Sequence, residues 1–269
     1  MISNGKFYES QFEEATIELL REAHWQYAFG DDIHRKYTDP LIEEDLRNFL
    51  AVQYKDKNLT TSEMDSIVAN LRNTGGQNDY YALRNTFLLY RDGYDFAYSD
   101  GRSNPFRLEY IDFEHPDHNI FRCVNQFVME QGRENRRPDI LLFINGIPVC
   151  IIELKNPTKQ NATIHDAHTQ ICTRYMRDIP ALLKYCALAV ISDGAKNALG
   201  ATYTPFEFFY EWKKIENEDK AGKGLDTLRT LIRGAISPER ILEILRDYVY
   251  FPDPTKEDDT TEIVCRYPQ

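Results

Sequence analysis

The chain has 269 residues, 42% of them hydrophobic, and a formal net charge of −11. That length can bury a sizeable core in one large domain or two small ones, and no apolar run approaches the roughly 18 residues of a membrane span. The acidic balance excludes tight, non-specific nucleic-acid binding over the whole surface, because such binding depends on cations meeting phosphates.

The first ten residues carry no apolar segment of the signal-peptide kind. Five scattered cysteines (Cys123, Cys150, Cys172, Cys186, Cys265) without CxxC spacing read as reduced thiols of a cytoplasmic protein. Ser10 with Glu13 three residues on has the capping-box pattern. Phe12, Leu19, Leu20, Ala23 and Tyr27 follow at helical spacing, which predicts a helix over 10–28 ended at Gly30. Further helices are predicted over 42–53 and 61–71. Residues 1–84 therefore read as a mainly helical region packed on the core.

From residue 85 strand patterns are expected. Thr86 to Tyr90, a turn at Asp92-Gly93 and Tyr94 to Tyr98 read as a hairpin, with strands to follow over 107–113 and 121–129. Residues 136–155 then hold two apolar runs joined at Asn145-Gly146, a strong hairpin signal. Asn156-Pro157 stops the second run. A helix N-capped by Thr163 leads to the apolar run 186–191, which suggests a parallel neighbour by right-handed crossover. Aromatic residues over 202–212 read as a sheet edge. Helices are predicted at 225–234 and 238–248, and an acidic, Pro-containing tail follows over 251–269. The fold class expected is α/β, a mixed β-sheet flanked by helices.

Three ionisable residues edge the central hairpin: Asp139, Glu153 and Lys155. Charged groups do not belong in a sheet core unless they are paired or bind a metal. Glu153 and Lys155 are two apart on a strand and share a face. Two carboxylates beside a lysine suit phosphodiester hydrolysis, which needs a metal to neutralise the phosphate and a cation to steady the developing charge. Register constrains this reading. A plain two-residue turn pairs Asp139 with Ile152, facing away from Glu153. The site therefore requires a three-residue loop with Gly146 in a left-handed bulge position, or a bulge nearer Asp139.

Pro138-Asp139 followed by Glu153-Leu154-Lys155 resembles the PD-(D/E)xK nuclease motif. The longer context resembles the N-terminal part of the restriction subunit of type I restriction–modification enzymes. It runs from Asp112-Phe-Glu-His-Pro-Asp-His-Asn119 through Asn125-Gln126-Phe127 and Arg136-Arg137-Pro138-Asp139 to Asn145-Gly146, Pro148 and Ile152-Glu153-Leu154-Lys155-Asn156. Asp178-Ile179-Pro180 and Ile191-Ser192-Asp193-Gly194 continue it.

The resemblance implies a restriction-endonuclease-like core over 85–250 that cuts double-stranded DNA non-specifically with Mg²⁺, Mn²⁺ being able to substitute. It implies a linker over 251–269 toward motor domains, with modification (methyltransferase) and specificity subunits as partners. ATP would serve the full-length subunit only, since this chain has no GxxxxGK[ST] motif. Carried over by position, Asp139, Glu153 and the backbone carbonyl of Leu154 would hold metal, and Lys155 would be the catalytic lysine. Gln170 matches a helical glutamine of the family. Tyr175 lies five residues on, off the same face of an α-helix. An acid of the first helix, Glu14 or Glu18, is expected to approach the metal, with Glu13 assigned to the cap. Apart from the resemblance, Arg136 and Arg137 read either as phosphate contacts or as a solvated approach to the strand, and Arg174 as a further DNA contact. The competing classes are a free-standing repair or resolvase-like nuclease and a non-catalytic docking module. His115, His118, His165 and His168 read as solvated or packing residues.

Overall fold

The two apolar runs flanking Asn145-Gly146 form the centre of a six-stranded mixed sheet. The computed structural model describes residues 4–155, 163–215, 222, 224–252 and 261–265. In chain order the first elements are α1 (Asn4–Glu22), β1 (Gln26–Phe29), α2 (Glu43–Gln53), α3 (Thr61–Asn73) and α4 (Asp79–Asp92). Seven strands follow: β2 (Tyr94–Phe96), β3 (Phe106–Leu108), β4 (Phe121–Asn125), β5 (Met129–Gln131), β6 (Glu134–Arg136), β7 (Ile140–Ile144) and β8 (Ile147–Leu154). Next come α5 (Ile164–Thr169), a π-helical turn (Gln170–Tyr175), α6 (Met176–Asp178) and α7 (Pro180–Leu183). The last are β9 (Leu188–Ser192), β10 (Asn197–Ala201), α8 (Leu225–Ala235), α9 (Pro238–Asp247), β11 (Val249–Tyr250) and β12 (Ile263–Val264).

The sheet order is β1-β4-β7-β8-β9-β10. β8 and β9 run parallel, as the strand–helix–strand path requires, and β7 is antiparallel to both of its neighbours, β4 and β8. Helices cover both faces, so the fold is α/β. On one face Ile140, Leu142, Ile144 and Ile152 pack with Leu20, Leu50 and Leu231 of the surrounding helices. On the other, Leu141, Phe143, Ile151 and Ile191 meet Ala167 and Ile171. Burying each such side chain stabilises the fold by about 1.5–3 kcal/mol.

Several expectations are corrected. The first helix begins at Asn4, so Ser10 lies inside it and is not its N-cap, and it ends at Glu22. Residues 26–29, expected as its last turn, form edge strand β1 beside β4. Residues 86–92 are the end of α4, not a strand and turn. Tyr80, Leu83, Phe87 and Tyr90 recur at helical spacing and are buried, and Gly93 is the C-cap. β2 pairs instead with β3. Part of the tail docks, since β12 pairs with β11. Asn156-Pro157 and residues 253–260 lie outside the described residues. The five cysteines carry free thiols. No helix of the described residues is long and apolar enough to cross a membrane.

Candidate active site

The Asn145-Gly146 turn is of the two-residue kind, with φ of 51° and 76° at its two residues. It is held from outside. Asn145 Nδ2 donates to Tyr110 O and Asn119 Oδ1, and its Oδ1 accepts from the Ile120 N–H. Ile144 pairs with Ile147 and Phe143 with Pro148, but Leu142 pairs with Cys150. Val149 is the extra residue, and Val149 and Cys150 both point into the first core. Of the two register devices expected, the molecule uses a bulge, placed near the turn and not near Asp139. Beyond it Ile140 lies opposite Ile152. Asp139 and Glu153 thereby come onto the face covered by α5 and the π-turn.

Glu153 is 1% exposed. Its Oε1 accepts from Lys155 Nζ at 2.9 Å, and its Oε2 has no hydrogen-bond partner among the described residues. Asp139 is half-buried and accepts the Leu154 N–H at 2.7 Å. Burial, and then the charge of Asp139, push the Glu153 carboxyl well above the usual carboxylate range, against the pull of Lys155 and Tyr175. An unpartnered buried carboxylate oxygen beside a second carboxylate is unfavourable without a cation. The donor set is all oxygen, which suits a hard divalent ion such as Mg²⁺.

A side-chain chain supports the pair from the helix. Lys155 Nζ donates to Gln170 Oε1 at 2.6 Å, and Gln170 Nε2 donates to the Tyr175 hydroxyl at 2.6 Å. That hydroxyl reaches Arg137 O at 3.5 Å. Tyr175 lies off the Gln170 face of an α-helix, but Gln170–Tyr175 is a π-turn. Its i→i+5 closure brings residues five apart together.

Glu14, on the first helix, is exposed, and Glu18 pairs with Arg21. The acid of α1 that turns inward is Glu13, which accepts from Asn125 Nδ2 at 2.7 Å and Gln126 Nε2 at 2.9 Å. Asn125 pairs with Ile140, the residue after Asp139. Assigning Glu13 to a cap hid it; its phase next to buried Phe12 and Thr16 was the available signal. Arg136 is engaged by Glu134 and by Asp178, whose carboxyl Arg177 and Arg136 hold below its ordinary range. Arg137 and Arg174 are exposed and pair with no carboxylate among the described residues. His165 and His168 pack against Phe206, and His168 Nε2 lies 3.0 Å from Thr204 O.

These features define an α/β protein with two carboxylates and a lysine at one end of a mixed sheet. The chain belongs to the family described as the type I restriction enzyme R protein N terminus, which matches residues 6–208. It is 31% identical over 256 residues to the type I restriction enzyme HindI endonuclease subunit of Haemophilus influenzae, covering 90% of this chain and 24% of that relative. It is 32% identical over 133 residues to the type I restriction enzyme EcoprrI endonuclease subunit of Escherichia coli, covering 46% of this chain and 40% of that relative. The chain thus spans about a quarter of the Haemophilus relative's length.

Proposed function

We propose that this chain is a Mg²⁺-dependent PD-(D/E)xK endonuclease domain that cleaves double-stranded DNA non-specifically within an ATP-driven type I restriction complex. The observation that carries the reading is the buried Glu153 Oε2, which has no hydrogen-bond partner among the described residues and lies beside Asp139. Asp139, Glu153 and the Leu154 carbonyl would hold the ion, with Mn²⁺ as a substitute. When bound, the ion would neutralise the phosphate and activate water. Lys155, held between Glu153 and Gln170, offers an ammonium group to the charge that develops on the attacked phosphate. Gln170 and Tyr175 fix the lysine's position. Arg137 and Arg174 meet the DNA backbone.

The core is assigned to 85–250 together with edge strand β1, with the rest of 1–84 packed on it and 251–269 leading toward motor domains. Only the full-length subunit would use ATP, working in the cytoplasm with modification and specificity subunits. The net charge of −11 fits a domain to which DNA is delivered by another part of the enzyme. The test is restriction by the reconstituted enzyme carrying Asp139→Ala or Lys155→Ala. Cleavage falls at least about a hundredfold while ATPase and translocation persist. Normal cleavage by either variant would overturn the reading.

A further inference from the structure

The loop joining β3 to β4 gathers a second set of ligand-bearing side chains at the other end of the sheet. β4 runs from Phe121, opposite Ile144, to Asn125, opposite Ile140. The loop before Phe121 therefore lies at the Asn145-Gly146 end, away from Asp139. In it, Asp112, His115 and His118 bring one ligand atom each within 4.8 Å of one another, the one such cluster of three among the described residues. Asp112 is buried and the two histidines are exposed.

The backbone of this loop is held by side-chain hydrogen bonds. Asn119 Nδ2 donates to Asp112 O, and Asn119 Oδ1 accepts the Asp112 N–H. Asn119 is in turn fixed by Asn145 from the central turn. Asp112 Oδ1 accepts the N–H groups of Glu114 and His115. Asp112 Oδ2 accepts Gln53 Nε2 at 2.9 Å, and the same oxygen faces His118 Nδ1 at 3.0 Å and His115 Nδ1 at 3.4 Å. The two imidazoles lie nearly parallel, 4.8 Å apart and 20° inclined.

Two exposed rings that had all of solvent available both turn the same nitrogen to one carboxylate oxygen. Hydrogen bonding makes both rings donors, and an oxygen already occupied by Gln53 has one good place left. Ligation makes both rings acceptors, and one cation takes both lone pairs. We propose that Asp112, His115 and His118 form a binding site for a divalent transition ion of the Zn²⁺ class, independent of the Asp139–Glu153 pair. Two imidazole nitrogens and one carboxylate oxygen are a Zn²⁺ ligand set, completed by water on the exposed side. Ligand bonds of about 2.0–2.1 Å need only a small closing rotation of the exposed rings. Gln53 supplies the outer hydrogen bond that orients the carboxylate, so a bound ion would tie the loop to α2.

Calorimetric titration of the 269-residue chain with Zn²⁺ in Mg²⁺-free buffer tests this, with Co²⁺ absorption as a second probe. The wild type takes up an equivalent that His115→Ala and His118→Ala each weaken at least about tenfold and the double variant loses. Glu153→Gln leaves that equivalent intact. Both histidines are exposed, so the variants keep the fold, checked by circular dichroism. In the Glu153→Gln background, Zn²⁺ also raises the melting temperature of the protein that keeps both histidines and not of the one that carries the double substitution. No uptake, uptake in the Glu153→Gln background that survives the double substitution, or uptake lost in Glu153→Gln alone overturns the proposal. None of these outcomes bears on DNA cleavage, which the Asp139 and Lys155 variants test separately.

Discussion

Gln170 and Tyr175 stand five residues apart and are joined side chain to side chain at 2.6 Å. On an α-helix five residues turn the chain by about 140° past a full turn, which separates the two groups. The π-turn absorbs one residue and closes the gap. Deleting exposed Thr173 shortens the turn to α-helical length and leaves the same two side chains four apart, again on one face. The deletion is expected to retain most DNA cleavage in the reconstituted enzyme. Tyr175→Phe, which breaks the link to Gln170, lowers cleavage about tenfold to a hundredfold. A deletion as damaging as Tyr175→Phe would show that the π-turn itself is required.

Glu153 makes metal-free stability depend on pH. Its carboxyl is raised above the ordinary value of 4.5, first by burial and then by Asp139. A raised acid contributes fully below its unfolded value, and that contribution is lost as pH rises toward the folded one. Glu153→Gln removes the penalty. Without Mg²⁺ the variant is expected to be more stable at about pH 8 by roughly 0.5–2 kcal/mol, a few degrees in melting temperature, with a smaller gain near pH 5. Adding Mg²⁺ should raise the wild-type melting temperature and leave the variant's unchanged. Equal responses to Mg²⁺ would place the ion elsewhere.

Adjacent arginines should behave differently. Arg137→Ala and Arg174→Ala remove exposed cations that pair with no carboxylate among the described residues, and should each weaken DNA binding and lower its salt slope by about 1, with melting unchanged. Arg136→Ala instead strips a partner from Asp178, whose side chain is 3% exposed. It should lower the melting temperature. Salt-dependent binding and thermal melts on the three variants separate these roles.

Gly146 sits at φ 76°, and a Cβ there would lie 2.1 Å from Ile42 O. Gly146→Ala combines backbone strain with a collision against α2. The expected loss is about 1–3 kcal/mol, read as a lower denaturant midpoint with an unchanged slope.

The central hairpin was legible because its apolar runs, its Asn-Gly turn and its three charges each constrain the same pair of strands. Register could be argued to the need for an odd residue, but not to Val149, because several apolar positions bulge equally well. α4 was misread because Thr86 to Tyr90 is as apolar as a strand. The deciding positions, Tyr80 and Leu83, lie N-terminal to that apolar run. β1 was hidden because an edge strand with exposed Tyr27 and Phe29 has no buried stripe. Tyr175 was set aside by α-helical geometry, since a π-turn is decided by what the helix packs against. His115 and His118 carry no sign in sequence that both would face Asp112.

The bulge at Val149 has an arithmetic consequence. Thirteen residues, 140–152, separate Asp139 from Glu153. Two make the turn, and the remaining eleven divide into five on β7 and six on β8. The bulge is the remainder of that uneven division. With the turn kept at two residues, length changes within the two strands between the acids are therefore tolerable only in even numbers. Removing Val149 alone would leave Asp139, Glu153 and Lys155 in the sequence and send Glu153 into the opposite core.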